Sequence, residues 1–278
     1  MSRRSRKKRP QKKEELHQRK GGRLRKAAVV LVIVAIISMS LAAGLLLSGV
    51  IGGGPESGGR AAAIVDQLDL TQPNPDFAAS ATDILEEAGY TVDYYPGEEI
   101  TVDFYRDLPT HDYDLLILRV HSGMAEETDV ATGEKTKREY VSLFTGEPYS
   151  RDKYPDEPLG RLGKAEYYEG APPLFGIAPD FILYSMRDSF DDTLIVMMGC
   201  DGLRSERTAQ AFLDKGASAF VSWTRSVSAS HSDAGTLLLL EKLLVEELPV
   251  ADAVDQTAAE MGPDPLYGAR LRALLDES

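Results

Sequence analysis

Two side chains in this sequence have the types and the setting to break an amide bond together. Cys200 is the one cysteine among 278 residues, and His121 is one of four histidines. Each directly follows an apolar run: Leu115–Val120 (LLILRV) leads into His121-Ser122-Gly123, and Leu194–Met198 (LIVMM) leads into Gly199-Cys200-Asp201-Gly202. If these runs are neighbouring strands, their ends lie about 5 Å apart and the two side chains can meet over the sheet edge. An imidazole there favours the thiolate, and a thiolate attacks a carbonyl carbon. The flanking glycines let a substrate backbone approach and leave amide N–H groups for an oxyanion. Taken singly, such a cysteine also serves as a small buried hydrophobe and such a histidine as a satisfied structural residue. Their matched placement after two apolar runs is what favours a working pair.

Rival chemistries leave fewer traces. A single cysteine excludes an internal disulfide and a cysteine-built zinc site. No G-x-S-x-G elbow, Walker A loop or G-x-G-x-x-G turn follows a strand. Histidines and carboxylates do not cluster at metal-ligand spacings, so neither a metal nor another cofactor is expected. His231-Ser232-Asp233 follows a strand candidate and is placed to line a cleft, but Ser232 or Asp233 reads first as a helix N-cap. Asp201, too, reads first as the cap of a helix that follows it. His111 lies in a polar turn and His17 in a basic tail; Asn74, the only asparagine, is barred from glycosylation by Pro75.

The elements that must position the pair alternate. Strand candidates are Ala61–Leu68, Thr91–Tyr95, Tyr113–Val120, Thr193–Met198 and Ala217–Trp223. Helical spacing falls on Pro75–Gly89, Thr101–Leu108, Glu206–Lys215, Ser232–Glu247 and Val250–Met261, with Gly89 suited to end the first. Several strands are continuous apolar runs, the pattern of parallel strands buried on both faces. This predicts a doubly wound α/β sandwich with right-handed crossovers, whose ligands bind at the carboxyl ends of the strands. Residues 122–190 interrupt the alternation with many Pro, Gly, Tyr and charged residues, longer than an ordinary connection. Within that insertion Tyr140–Phe144 and Leu174–Ile177 look strand-like, and Val141–Ser150 with Tyr154, Tyr167 and Tyr168 has the makings of a flap or of a secondary core.

The amino-terminal quarter has a different character. Residues 1–26 hold thirteen Lys or Arg against two Glu, a net of +11, so the remainder carries −24 of the chain's total of −13. Between the two lies Ala27–Ile51, 25 residues without a charge. About 20 apolar residues suffice to span a bilayer core, so residues 27–51 are expected to be a single transmembrane helix. Basic residues beside a span stay cytoplasmic, which places the tail inside and the main domain outside the cell membrane. The run exceeds the ~7–15 residues of a cleaved signal core, favouring an uncleaved anchor. Topology and anionic lipid account for the basic tail without nucleic acid. Residues 52–60 form a Gly-rich linker, and 61–278 are the domain.

The sequence around His121 and Cys200 resembles the caspase-like cysteine peptidases, a group that includes caspases, metacaspases, legumains, gingipains, separases and clostripain. These place His-Gly after one apolar strand and Ala/Gly-Cys after the next. The counterparts here are LLILRVHSG (Leu115–Gly123) and TLIVMMGCDG (Thr193–Gly202), the second similar to the Met-Gly-Cys form of separases. GASAFVSWTRSVS (Gly216–Ser228) looks like the strand after the cysteine in gingipain-like and CHAT-domain proteins, which ends at the substrate cleft. The resemblance covers Ala61 to about Met261 and implies a three-layer α/β/α sandwich with a mainly parallel sheet. It implies His121 as general base and acid, Cys200 as nucleophile, and the backbone N–H groups of Gly123 and Cys200 as oxyanion donors. It also implies a peptide or protein substrate, with Asp201 and Trp223 at the cleft and Asp201 suited to a basic substrate side chain. One departure stands out: Ser122 separates His121 from Gly123, which moves the expected oxyanion donor by one residue. Two alternatives remain open at this point: a thiol-dependent hydrolase of other amides or acyl groups, and a non-catalytic, membrane-tethered binding or assembly module on the same fold.

Overall fold

The computed structural model describes residues 59–128, 132 and 135–276. The basic tail, the 27–51 span and most of the linker lie outside the described residues; among the described residues no helix is long and apolar enough to cross a membrane.

In chain order the elements are β1 (Arg60–Asp66), α1 (Pro75–Glu87), β2 (Tyr90–Pro96), α2 (Val102–Asp107) and β3 (Leu115–Arg119). An excursion follows: β4 (Ser122–Thr128), β5 (Lys135–Pro148), β6 (Leu162–Ala165), β7 (Leu174–Ile177) and α3 (Pro179–Tyr184). The chain returns through β8 (Thr193–Met197), α4 (Arg207–Asp214), β9 (Ala217–Trp223), α5 (Ala229–Leu240), α6 (Val250–Met261) and β10 (Leu271–Leu275). A six-stranded sheet has the order β10-β9-β8-β3-β1-β2. Its strands are parallel except for β10, which runs antiparallel to β9.

Strand alternation divides the apolar side chains between two faces. Ala63, Val65, Leu116, Leu118, Ile195 and Met197 pack with Tyr105 of α2, Phe181 of α3 and Phe212 of α4. Ala62, Ile64, Leu115 and Ile117 pack with Phe77 and Leu85 of α1 and Leu240 of α5, while Val196 and Val221 join Leu239 of α5 and Val254 of α6. Burial on both faces is why these strands read as unbroken apolar runs.

Local signals set the helix ends. The Asn74 side chain accepts from the Phe77 N–H at 3.2 Å and Pro75 supplies the first turn of α1. Gly89, at φ +87°, closes it.

The excursion after β3 is a second, four-stranded antiparallel sheet of order β4-β5-β7-β6. Thus most of Val141–Ser150 belongs to a strand whose Val141 and Leu143 enter the core, so the segment is wall as much as flap.

Candidate functional site

The carboxyl edge of the parallel sheet brings together the ends of β1, β3, β8 and β9. In the pairing of β3 with β8, Leu118 faces Met197. His121 and Cys200 each lie three residues beyond that pair, on adjacent strand exits. The Met198 N–H donates to the Leu118 carbonyl at 2.9 Å, carrying the contact one step past the strand end. Beyond it the Ser122 hydroxyl donates to the Cys200 carbonyl at 2.5 Å. Gly199 makes this closeness possible: a Cβ there would collide with Ser122 Oγ and the Val120 carbonyl.

His121 is clamped from the β1 side. Its N–H donates to Gln67 Oε1 at 2.8 Å, and its Nε2 lies 2.8 Å from Thr71 Oγ1. The ring sits 4.5 Å from that of Tyr167, whose hydroxyl accepts from Gln67 Nε2 at 2.7 Å. Burial, with the positive charge of Arg119 behind it, lowers the His121 pKa to about 4. The imidazole is therefore neutral at physiological pH. Arg119 is itself only 1 % exposed. It donates to Asp66 at 2.7 Å, to Asp233 at 2.9 and 3.1 Å, and to the Gln72 carbonyl at 2.9 Å, tying β1, β3 and α5 beneath the edge.

Cys200 is half-buried. Its Sγ lies 3.6 Å from the Val227 carbonyl, and burial above all pushes the thiol pKa up, with Asp201 adding to the effect. Thiol and imidazole are thus each engaged elsewhere: His121 with Thr71, Cys200 with Val227. The N–H groups on either side of Cys200 are spent, Gly199 on Met197 Sδ at 3.0 Å and Asp201 on the Arg225 carbonyl at 2.9 Å. Among the described residues the Cys200 N–H itself meets no acceptor. Gly123 is different. It sits in β4 opposite Ser142, and since the Phe144 N–H donates to the His121 carbonyl, ladder alternation turns the Gly123 N–H to Ser142.

The remaining expected residues fall as follows. Asp201 caps no helix, because α4 begins only at Arg207. It stands at φ +61°, where its carboxylate takes the Ser226 hydroxyl at 3.1 Å and Arg204 at 3.4 Å. Trp223 is 1 % exposed and lies beneath the edge; its Nε1 donates to Ser232 Oγ at 2.8 Å, and Ser232 donates on to the Met198 carbonyl. Ser232 and Asp233 are not N-caps either: α5 starts at Ala229, so both sit inside the helix, with Ser232 under Trp223 and Asp233 on Arg119. Of the proposed flap tyrosines, Tyr167 reaches His121, Tyr154 donates to Glu147, and Tyr168 is largely exposed.

The sequence pattern does not single out Gln67, Thr71 or Arg119 as site residues. Arg119 did leave a signal, a charge within an otherwise apolar strand (LLILRV), which only a buried counter-charge tolerates. Among the described residues no group of three or more His, Cys, Asp or Glu is placed to hold a metal ion.

No family model and no curated protein matches this chain. A structural genomics crystal structure of a protein from Geobacter sulfurreducens is similar at 12 % identity, spanning 79 % of this chain and 95 % of that one with a TM-score of 0.38. That likeness is too loose to bear on function.

Proposed function

We propose that the chain is a membrane-anchored cysteine hydrolase of the caspase-like kind, an endopeptidase working through His121 and Cys200 on a three-layer α/β/α sandwich. The observation that carries this reading is the register of β3 with β8, which delivers the histidine and the only cysteine to adjacent strand exits at the same depth. In the reaction Cys200 Sγ bonds to the substrate carbonyl carbon as its proton passes to His121. His121 then protonates the leaving amine, the C–N bond breaks, and a thioester remains. Water, deprotonated by His121, hydrolyses it and returns the thiol. The unengaged Cys200 N–H is the oxyanion donor this reading favours. The proton transfer requires His121 and Cys200 to turn from Thr71 and Val227 toward each other, as catalytic hydrogen bonds often form only once substrate is bound.

The anchor is the uncharged run 27–51 with its basic tail inside, holding residues 61–278 outside the cell membrane. A second reading, a tethered binding or assembly module without catalysis, is favoured by one observation: the thiol is pushed up and the imidazole down, so the resting pair is neutral.

The decisive experiment treats the full chain with a peptide carrying an electrophilic carbonyl, beside Cys200→Ala and His121→Ala. Labelling confined to proteins that retain Cys200, and slowed by His121→Ala, supports the hydrolase. Equal labelling of wild type and Cys200→Ala removes the nucleophile.

A further inference from the structure

Between α6 and β10 the chain makes a tight loop, residues 262–269, built around one buried carboxylate. Asp264 is 2 % exposed and accepts from the N–H groups of Leu266 at 2.9 Å and Tyr267 at 2.7 Å. It also takes the Ser228 hydroxyl at 2.5 Å, while its own N–H and carbonyl close the loop on Ala269 and Gly268. The loop is fixed from within, yet it holds two apolar side chains out in water. Leu266 is 73 % exposed, the most of any large apolar residue among those described, and Tyr267 is 52 % exposed.

Arginines surround this tip. Tyr267 lines a cavity together with Arg204, Arg225 and Arg272, and Arg270 is bonded through its backbone to Thr224 of the same lining. Elsewhere in the domain Arg106, Arg119, Arg161, Arg187 and Arg207 all face carboxylates. Arg225, Arg270 and Arg272 are different: all three are exposed, and among the described residues their guanidinium groups make no hydrogen bond or ion pair. The nearby acids are engaged, Asp201 by Ser226 and Arg204, and Asp264 inside its loop. A positive patch with an apolar point thus stands on a chain of 44 acidic and 31 basic residues.

We infer that the Leu266–Tyr267 tip and its arginines form a contact surface for anionic phospholipid. The inference rests on the reading of residues 27–51 as a membrane anchor, and on neither Cys200 nor His121. Guanidinium forks suit headgroup phosphates. Tyrosine and leucine side chains suit the boundary between headgroups and acyl chains, and interfacial binding grows with both apolar area and opposite charge. A protein partner is the poorer match, because two apolar side chains are too few for the core of an interface of about 800 Å2 per side. The small area matters less at a bilayer, since a tethered domain meets the surface at high effective concentration.

The test reads the contact itself. Tyr267→Trp puts an indole at the tip, and the one native tryptophan, Trp223, is buried and gives a constant background. The full chain is placed in nanodiscs of brominated phosphatidylcholine, with or without phosphatidylglycerol. The introduced indole is expected to be quenched in the anionic discs, and much less in neutral discs or at high salt. Each arginine near an anionic surface strengthens the contact about fivefold, so Arg225→Gln, Arg270→Gln and Arg272→Gln together should weaken it on the order of a hundredfold. Lysine at the same three positions keeps the charge and should keep most of the contact. All three side chains are exposed, so the substituted chains are expected to fold. Absent quenching, or equal quenching in neutral and anionic discs, overturns the inference. So does an indole that ignores lipid and responds to added polyglutamate, which would give the patch to an acidic protein. The anchor reading is judged separately, by whether alkaline carbonate frees the chain from vesicles. If it does, the same quenching is measured with the chain added to vesicles from outside, and the same outcomes decide.

Discussion

Ser122 Oγ donates to the carbonyl of Cys200 at 2.5 Å, so the residue that departs from the His-Gly pattern is the one that fastens the histidine strand to the cysteine turn. The insertion that displaced the glycine has not left a gap. It starts β4, lies buried at the edge, and has its hydroxyl hydrogen committed to Cys200. On the proposed hydrolase reading the oxyanion donor is the Cys200 N–H, since Gly123 is held in the β4–β5 ladder.

Ser122→Ala removes that tie and leaves the Cys200 carbonyl without its partner. A neutral hydrogen bond of this kind contributes about 1 kcal/mol, and the expected loss of stability in urea unfolding is of that size. Freed from the bond, the cysteine turn should also react faster with a small alkylating agent. A stability unchanged within ~0.3 kcal/mol would show that water replaces the hydroxyl at no cost.

Cys200 is the only thiol, so alkylation reports on it alone. Burial raises its pKa, with the negative charge of Asp201 in the same direction. Iodoacetamide labelling of the native protein should therefore climb with pH past the ~8.5 of a free thiol, and at pH 7 it should lag behind the unfolded chain. An inflection below ~7.5 would mean that His121 is already paired with the thiolate at rest.

His121 should titrate near the value of about 4 that burial and then Arg119 impose. The unfolded chain protonates its histidine near 6.5. Between these two values the unfolded state binds more protons, so His121 makes stability rise with pH from about 4 to 6.5 and lowers it as pH falls through that window. Above 6.5 the contribution is flat. Subtracting the pH–stability curve of His121→Gln from that of wild type isolates it from the carboxylates, and the C2 proton shift of the imidazole in NMR gives the midpoint directly. A midpoint above 6 would place the ring in water rather than between Thr71 and Tyr167.

Much of this edge was readable from the residues, and the exceptions have physical causes. Four of the five parallel strands, β1, β3, β8 and β9, declare themselves because burial on both faces makes them apolar without alternation, and their neighbourhood follows from right-handed crossovers. β10 carries no strand signal because its five residues, LRALL, are all good helix formers without a β-branched side chain, and only pairing with β9 makes them a strand. Ser232 and Asp233 have the composition of caps yet serve tertiary partners, Trp223 and Arg119, that no local pattern contains. Gln67 and Thr71 lie in a turn after β1, and only the folded chain carries them to His121, some 50 residues away. The gathering of Arg204, Arg225 and Arg272 around one cavity is not legible in sequence either, because Arg272 arrives there on β10.

Arg119 offers the sharpest test of how the edge is held. It lies between Asp66 and Asp233 in the interior, stacked above the Phe77 ring at 5.5 Å. Arg119→Met keeps most of the volume but leaves two carboxylates buried without their cation, so the expected destabilisation is roughly 3–5 kcal/mol. Adding Asp66→Asn and Asp233→Asn should recover a large part of that loss, because the orphaned charges go with them. The same substitution has an electrostatic reading that mere unfolding would not produce: with the positive charge gone, the His121 midpoint should move upward toward its ordinary value. NMR titration of Arg119→Met, recorded where the protein remains folded, checks this. A midpoint that stays near 4 would leave burial alone responsible for the neutral imidazole and give Arg119 a purely structural part.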